Sequence, residues 1–284
     1  MKPNVAYHSA LTEAKIVRNI YRGMLSMLVR RKVHSPRDLA MSVFSYSGEK
    51  ALPEQVASIR SFLRYAGRPR QFTVLSDGSY TPNSITLLEA IDDCIRVQKT
   101  PPPLPESLPE KIRAYLANHH TGKQLALIMS LPANGPALYT DSDVLFFPGA
   151  REIAELAQRN SVPAWFQADY QFSGDERVLV GESERQNPVN TGFLLLFRKL
   201  DWSVGLDRLQ NLNGEPNFFT NQTVTHLCMH ANGARSLDPQ KFVLQSDDQT
   251  IYRDKYAKSS LVMRHYVNPV RHKFWLTLAH RGFN

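Results

Sequence analysis

The sequence predicts an α/β fold, with a mainly parallel mixed central sheet flanked by helices. Segments with the apolar patterning of strands alternate with helical segments along most of the chain, and such alternation is typical of βαβ units and a parallel sheet. The chain has 284 residues, enough for one large domain or two small ones. Hydrophobic residues at 42% and aromatic residues at 10% are typical of a globular protein and exclude a disordered chain.

The alternation begins after Ser35-Pro36. Each predicted strand is a short apolar run bounded by turn residues, and each predicted helix has apolar residues at helical spacing. The second strand ends at the turn sequence Ser76-Asp77-Gly78. We predict strands at Leu39–Tyr46, Gln71–Leu75 and Cys94–Val97, and helices at Pro53–Tyr65 and Ser84–Asp92.

A proline-rich segment at Thr100–Pro105 interrupts the alternation, which resumes after it. We therefore predict a long loop within one domain rather than a linker between two domains. The run Phe193–Phe197 is continuously apolar, as expected of a strand that is buried on both faces. Beyond the loop we predict helices at Glu110–Leu131 and Asn221–His230, and strands at Ala137–Tyr139, Ala164–Gln167, Phe193–Phe197 and Lys241–Leu244.

Residues 12–32 are predicted to form a basic amphipathic helix. Apolar residues recur at every fourth position, and basic residues lie off that row or end the segment. We expect the helix to pack on the main domain with its basic face in solvent, and docking on a membrane surface is the alternative. The predicted organisation is a helical extension, residues 1–37, followed by one domain, residues 38–284. The apolar row consists of Ile16, Ile20, Met24 and Leu28.

The chain is basic, with 34 Lys and Arg against 26 Asp and Glu and a formal net charge of +8. This balance suits anionic partners such as nucleotides, phosphorylated lipids, acidic glycans or nucleic acid. The two cysteines, Cys94 and Cys228, are far apart, which excludes a disulfide framework and a thiolate zinc site and favours a reducing compartment. Since neither a membrane-spanning segment nor a secretory signal is recognisable, we expect a cytoplasmic protein, with any peripheral membrane contact made through residues 12–32.

The segment Asp141-Ser142-Asp143 interrupts an apolar run at the end of a predicted central strand. In extended backbone, residues i and i+2 point to the same side, so the two carboxylates lie close together. Their repulsion and desolvation favour a bound cation, and oxygen ligands suit a hard divalent metal. Because D-x-D also occurs by chance, a solvated turn is the alternative for these residues alone.

Five segments, in the same order, resemble the GT-A glycosyltransferases, in particular the group of glycogenin and the bacterial lipopolysaccharide glycosyltransferases. The first hundred residues match only as a β-α-β pattern followed by Asp77. The resemblance implies a GT-A fold and the metal-dependent transfer of a hexose from a nucleotide-diphosphate sugar, UDP first, to a glycan, lipid-linked or small-molecule acceptor. The segments are G-K-Q-L at 122–125, A-L-Y-T-D-S-D at 137–143, A-W-F-Q-A-D at 164–169, V-N-T-G-F-L-L-L at 189–196 and H-Y-V-N-P-V-R at 265–271.

The resemblance also implies roles for individual residues. A metal that bridges both phosphates of the donor would act as a Lewis acid on the leaving group, and a histidine nitrogen among its ligands suits Mn²⁺, or Mg²⁺, better than Ca²⁺. The implied metal ligands are Asp141, Asp143 and His265, and the implied catalytic residues are Gln222 and Asp169. The implied donor-binding residues are Tyr46, Asp77, Lys123, Asp141, Ser142, Asn190, Thr191, Gly192, Arg271 and Lys273.

The sequence departs from the family pattern in several places. The family's D-Q-D segment is Asn221-Gln222-Thr223 here, which lacks both acids and leaves retention or inversion open. A GT-A-fold protein that only binds is therefore one alternative. A haloacid-dehalogenase-like phosphatase is another, in which Lys241 and Asp247-Asp248 would act beside D-x-D. No nucleic-acid-binding motif is recognisable, so nucleic acid is not an expected partner.

Overall fold

The structure is a computed structural model that describes residues 4–132 and 135–283. Most strands begin and end close to the predicted positions, and three short strands were not predicted because two or three residues give no periodic pattern. The strands are β1 (Asp38–Ser47), β2 (Arg68–Ser76), β3 (Ile95–Gln98), β4 (Ala137–Thr140), β5 (Val144–Phe146), β6 (Ala164–Ala168), β7 (Val189–Leu196), β8 (Arg235–Ser236), β9 (Phe242–Val243) and β10 (Met263–His265).

Seven of these strands form the central sheet, in the order β3-β2-β1-β4-β7-β6-β8. Strand β7 is antiparallel to both of its neighbours, and the other neighbouring strands are parallel. The predicted α/β class with a mainly parallel mixed sheet is therefore confirmed. A second, small sheet has the order β5-β10-β9.

The helices lie between the strands, as expected of βαβ units. The predicted helix at Glu110–Leu131 is two helices, because His119 has extended backbone and caps the second one. The helices are α1 (Val5–Gly23), α2 (Leu25–Arg30), α3 (Leu52–Tyr65), α4 (Pro82–Glu89), α5 (Glu110–Asn118), α6 (His120–Met129), α7 (Glu152–Leu156), α8 (Ser203–Gln210), α9 (Thr220–Ala231) and α10 (His272–His280).

The hydrophobic core lies on both faces of the central sheet. Strand β7 is buried along its whole length, which confirms the prediction for its apolar run. Its alternate residues belong to different core clusters, Phe193 and Leu195 to one and Leu194 and Leu196 to the other. This is the burial expected of a strand in the middle of a sheet that is covered on both faces.

The N-terminal helices pack into the same core as the main domain. Helix α1 lies against α10, where the rings of Tyr21 and Trp275 have centroids 5.3 Å apart. Arg18 also donates to Glu54 of α3, with Nε and Oε1 2.6 Å apart. The buried residues of the two helices are Ala10, Ala14, Val17, Tyr21, Leu25, Leu28 and Val29.

The apolar row predicted to pack on the domain is only partly buried. Leu28 is buried, but Ile16 and Ile20 are 55% and 49% exposed. A row of residues four apart turns by about 40° at each step around a helix, so it cannot stay on one face over three steps. The helical run also breaks at Met24, which separates α1 from α2. The buried face of α1 instead includes Ala10 and Ala14, whose small side chains allow close packing.

Among residues 4–132 and 135–283, no helix has the length and apolar character needed to cross a membrane. Both cysteines, Cys94 and Cys228, are buried and free.

The two sheets meet at the segment between β4 and β5. Strand β4 lies beside β1 and β7 in the central sheet. Just after β4, the backbone N–H of Asp141 donates to the carbonyl oxygen of Gly192 in β7 at 3.0 Å, so the pairing of the two strands continues by one residue. The chain then enters β5 of the small sheet, where Val144 pairs with His265 of β10. The D-x-D turn is therefore the corner between the sheets, and β10 brings a distant histidine to it.

Candidate active site

Two carboxylates and one imidazole converge at this corner. His265 Nε2 lies 3.0 Å from Asp143 Oδ1 and 3.6 Å from Asp141 Oδ2. One candidate ligand atom from each residue lies within 4.8 Å of the other two. Because carboxylate oxygens and an imidazole nitrogen together suit a divalent transition-metal ion, these three side chains form a possible metal site.

The charges at the site are only partly balanced by the protein. Burial alone would raise the pKa of Asp143, but His265 and the ion pair with Arg271 outweigh it and hold that pKa below its ordinary value. Burial raises the pKa of Asp141, and the neighbouring Asp143 carboxylate adds to this while His265 opposes it. A bound cation would offset the cost of keeping both carboxylates ionised.

The pKa of His265 responds to the same neighbours. Burial alone would lower it, but the Asp143 and Asp141 carboxylates outweigh burial and raise this pKa above its ordinary value. The ring also packs on Gly192, where an added Cβ would lie 2.1 Å from His265 Cε1. Glycine at this position is therefore required by the close approach of the imidazole.

A chain of hydrogen bonds holds the first aspartate. Oδ1 of Asp141 accepts from the Tyr139 hydroxyl at 2.7 Å and from Gln124 Nε2 at 3.0 Å. Gln124 Oε1 in turn accepts from Asn221 Nδ2 at 2.8 Å. Gln124 was not predicted as a site residue, although it lies next to the predicted Lys123 in the same G-K-Q-L segment. In a helix, adjacent residues point about 100° apart, and it is Gln124 that reaches the site.

The candidate metal site lines an open cavity of about 860 Å³. Most of the residues predicted from the sequence contribute to its wall: Tyr46, Asp141, Ser142, Asp143, Asp169, Asn190, Thr191, Gln222, His265 and Arg271. The wall also includes residues to which no role was assigned from the sequence, among them His120, Gln124, Tyr170 and Asn221.

Four predicted donor-binding residues do not line this cavity, namely Gly192, which packs against the His265 ring, and the three residues Lys273, Asp77 and Lys123. Lys273 is fully buried, and its Nζ donates to the carbonyl oxygens of Ile251 at 2.6 Å and Arg253 at 2.8 Å. Asp77 is exposed and accepts from the N–H of Ser79 at 2.8 Å. Lys123 is half-buried on α6, beside Gln124. The motif spacing placed these side chains near the site, but the local backbone directs them elsewhere.

The two predicted catalytic residues lie together in the cavity wall. Asp169 Oδ2 accepts from Gln222 Nε2 at 3.4 Å and from Asn190 Nδ2 at 3.3 Å. Burial raises the pKa of Asp169, although the Asn190 hydrogen bond opposes this. Tyr46 has a buried hydroxyl that lacks a partner within the described part of the chain. Since buried hydroxyls are ordinarily hydrogen-bonded, it is available to a ligand in the cavity.

The residues that a haloacid-dehalogenase-like phosphatase would need are not at this site. Lys241 pairs with Glu152 at 2.7 Å, on the small-sheet side of the fold. Asp248 is fully buried and pairs with Arg264 at 2.8 Å and with Lys273 at 3.3 Å. Neither Lys241 nor Asp248 lines the cavity. The phosphatase alternative is therefore not supported by the arrangement of the side chains.

No protein-family model and no curated protein matches the sequence. Solved structures do match the fold. Galactosyltransferase LgtC, in complex with donor and acceptor sugar analogues, has a TM-score of 0.54 at 13% identity, covering 84% of this chain and 95% of LgtC. Mouse xyloside xylosyltransferase 1 has a TM-score of 0.52 at 12% identity, covering 82% of this chain and 99% of the xylosyltransferase. Glycosyltransferase GlyE of Streptococcus pneumoniae TIGR4 has a TM-score of 0.54 at 14% identity, covering 85% of this chain and 60% of GlyE. The chain therefore has the GT-A glycosyltransferase fold.

Proposed function

We propose that this protein is a metal-dependent glycosyltransferase. It transfers a hexose from a nucleotide-diphosphate sugar, UDP-sugar first, to a glycan, lipid-linked or small-molecule acceptor. The main support is the convergence of Asp141, Asp143 and His265 on the wall of one large cavity in a GT-A fold. The cavity also brings the Arg271 guanidinium and hydrogen-bonding amides to the same place, as the transfer of a sugar from a diphosphate requires.

Asp141, Asp143 and His265 would hold the metal, with Mn²⁺ as the first choice and Mg²⁺ as the second. Their donor set of two carboxylates and one imidazole fits such an ion. The bound ion would act as a Lewis acid that stabilises the negative charge on the departing nucleoside diphosphate.

Arg271 is suited to bind the diphosphate beside these ligands. Its side chain is 55% exposed, lines the cavity and pairs with Asp143. Guanidinium groups form strong paired hydrogen bonds with phosphate oxygens. Because the Asp143 carboxylate would be neutralised by the metal, Arg271 would be free to donate to the phosphates.

The donor sugar would lie against Asn190, Thr191, Asp169 and Gln222. These side chains provide both hydrogen-bond donors and acceptors for sugar hydroxyls. The hydrogen bond to Asp169 orients the amide of Gln222. We assign Gln222 and Asp169 as the catalytic pair next to the reacting carbon. Asp169, whose pKa is raised by burial, is suited to accept the proton of the acceptor hydroxyl.

Residues Tyr46 and Ser142 complete the proposed donor site. Both line the cavity, and the hydroxyl of Tyr46 is buried and unpaired within the described residues. We propose that it bonds to the nucleoside part of the donor. Gly192 contributes by leaving room for the imidazole of His265.

A thermal-shift panel of UDP, GDP and CMP, with and without Mn²⁺, tests the proposal. One nucleotide should stabilise the wild type only with the metal, by about 2.7 kcal/mol at ~100 times its Kd. The variant Asp143→Ala should lose this stabilisation, whereas Asp247→Ala, an acid outside the cavity wall, should keep it. No shift with any nucleotide would contradict the proposal. A shift without cleavage of a UDP-hexose would favour a GT-A-fold protein that only binds.

We also propose that the protein works in the cytoplasm, with α1 and α2 in contact with an anionic membrane surface. The exposed apolar residues Ile16, Ile20 and Met27 support this, because they lie on helices that also expose basic side chains. Apolar and basic groups on one exposed surface are typical of interfacial helices. The exposed basic residues are Lys15, Arg22, Arg30, Arg31 and Lys32.

A further inference from the structure

Gln167 is a fully buried amide between the two sheets. It belongs to β6 of the central sheet, and its side chain reaches the small sheet, where it contacts residues of β9 and β10. The pairing of β6 with β7 is irregular at this point, because Phe166 pairs with Leu194 but Gln167 pairs with Asn190. Such bulges redirect side chains and are common beside functional sites.

The partners of Gln167 fix which way its amide points. Nε2 lies 3.4 Å from the carbonyl oxygen of Phe242 and 3.7 Å from Met263 Sδ, and both of these atoms are acceptors. Oε1 lies 3.3 Å from His265 Nδ1. The opposite orientation would place an oxygen against two acceptors and leave the Nε2 hydrogens facing the imidazole. Oε1 therefore accepts, and Nδ1 of His265 carries a hydrogen.

We propose that Gln167 is a positioning residue that holds His265 in the tautomer with hydrogen on Nδ1, so that Nε2 offers its lone pair to the metal. This inference rests on the proposed metal-dependent function. A histidine that binds a metal commonly donates its second ring N–H to an outer partner, which fixes the ring and its tautomer. Gln167 supplies that partner from the central sheet, while the ring itself is carried by the small sheet.

The packing of the ring supports this role. Nε2 is the ring nitrogen that faces Asp143 and Asp141, at 3.0 and 3.6 Å. On the other side, an added Cβ at Gly192 would lie 2.3 Å from Nδ1 and 2.1 Å from Cε1. The imidazole is thus held between the backbone of Gly192 and the Gln167 oxygen, and the hydrogen bond selects its tautomer.

A purely structural role for Gln167 predicts a different outcome from a positioning role. If the amide only joined the sheets, its loss would lower stability and leave metal affinity unchanged. Gln55 provides a matched control, because it is also fully buried and its Oε1 accepts from Ser45 at 2.8 Å and Ser47 at 2.7 Å. It contacts none of the three candidate metal ligands in the described hydrogen-bond network.

The test combines Mn²⁺ titration calorimetry with ¹⁵N NMR of the histidine rings in protein saturated with the diamagnetic ion Mg²⁺, because in metal-free protein a hydrogen on Nε2 can donate to Asp143 Oδ1 at 3.0 Å. The His265 signals are assigned by comparison with His265→Ala. We expect the wild type to show hydrogen on Nδ1. Gln167→Met should bind Mn²⁺ about 10- to 100-fold more weakly, whereas Gln167→Glu, which keeps an acceptor oxygen toward His265 and, when protonated, a donor toward the Phe242 carbonyl, should stay within a few-fold of the wild type. Gln55→Met should leave Mn²⁺ affinity unchanged.

Hydrogen on Nε2 in the Mg²⁺-saturated wild type would overturn the proposal, and so would wild-type Mn²⁺ affinity in Gln167→Met. If Gln167→Met does not fold, the wild-type spectrum and the Gln167→Glu titration still show whether Gln167 positions His265. A wild type that binds no Mn²⁺ would instead overturn the metal-dependent function, so the wild-type titration separates the two failures.

Discussion

His265 Nε2 and Asp143 Oδ1 lie 3.0 Å apart, although 122 positions separate the two residues in the sequence. They belong to a single possible metal site that the small sheet assembles. We predict that His265→Ala lowers Mn²⁺-dependent cleavage of the donor more than about 100-fold, since losing a direct ligand costs more than losing an outer partner. The far-ultraviolet circular dichroism spectrum should stay that of the wild type. Full cleavage by this variant would remove His265 from the site.

The close packing at Gly192 predicts a second result. In Gly192→Ala the new Cβ would overlap the His265 ring, so the imidazole must move and Mn²⁺ affinity should fall at least about 10-fold. Gly23→Ala is the control, because nothing lies within 4 Å of a Cβ at that position. It should leave Mn²⁺ affinity unchanged. Calorimetric titration of both variants compares them, and equal affinities would contradict the assigned role of Gly192.

The contact between Gln222 and Asp169 predicts a loss of turnover without a loss of donor binding. Gln222→Ala and Asp169→Asn should each lower kcat about 100-fold or more, because each removes a group that we propose lies next to the reacting carbon. The metal and diphosphate ligands are unchanged in these variants. The Kd of the nucleotide with Mn²⁺, measured by calorimetry, should therefore remain within a few-fold of the wild type. A raised Kd with unchanged kcat would assign both residues to binding alone.

The buried ion pairs of Asp248 predict a pH-dependent stability. Replacing Asp248 by Asn leaves the buried Arg264 charge with less compensation and should cost about 3–5 kcal/mol at neutral pH. Burial alone would raise the pKa of Asp248, but Arg264 and Lys273 lower it below its ordinary value.

The contribution of a carboxyl group with a lowered folded-state pKa is present above its unfolded pKa of about 3.9 and is lost as pH falls through the folded pKa. The difference in stability between the wild type and Asp248→Asn should therefore shrink in acid. Urea unfolding at neutral and acid pH measures it. Asp247→Asn, at an exposed neighbour, should cost less than about 1 kcal/mol. A difference in the free energy of unfolding that stays constant with pH would contradict a stabilising role for the ionised Asp248 carboxylate.

The exposed isoleucines of α1 predict an effect on vesicle binding but not on stability. The double variant Ile16→Ser, Ile20→Ser should unfold at nearly the wild-type temperature, because both side chains are about half exposed. It should sediment less with vesicles that contain anionic lipid. Tyr21→Ala, on the buried face of the same helix, should instead lower stability by about 3–5 kcal/mol. Equal sedimentation of the double variant and the wild type would contradict membrane contact through α1.

Much of the fold could be predicted from sequence because the long strands and helices are strongly periodic. The short strands β5, β8 and β10 were not predicted, since they are set by pairing with distant segments, whereas β9 lies within the predicted strand Lys241–Leu244. Strand β10 is the important case, because pairing of His265 with Val144 completes the site. Only the H-Y-V-N-P-V-R segment, through its resemblance to a family motif, pointed to His265.

Two of the predicted site residues lie away from the cavity wall for a local reason. Motif spacing placed Lys123 and Lys273 near the donor, but the direction of a helical side chain changes by about 100° with each residue. The side chain that reaches Asp141 is that of Gln124 and not that of Lys123. The side chain of Lys273 is buried in the core. Gln167 was visible as a polar residue in an apolar strand, but its partner on another sheet was not.

The packing of α1 on α10 sets the order in which the fold can be completed. Tyr21 leaves the ribosome before the strands of the sheet, but its partner Trp275 emerges only after them. Until then the buried face of α1 lacks its main partner, α10, and the nascent chain must hold it solvent-exposed or in temporary contacts. Contacts between segments so distant in sequence are formed late and slowly. Docking of the first helix is therefore a late step in folding, and ribosome-bound chains that stop before residue 272 should leave it accessible to proteases.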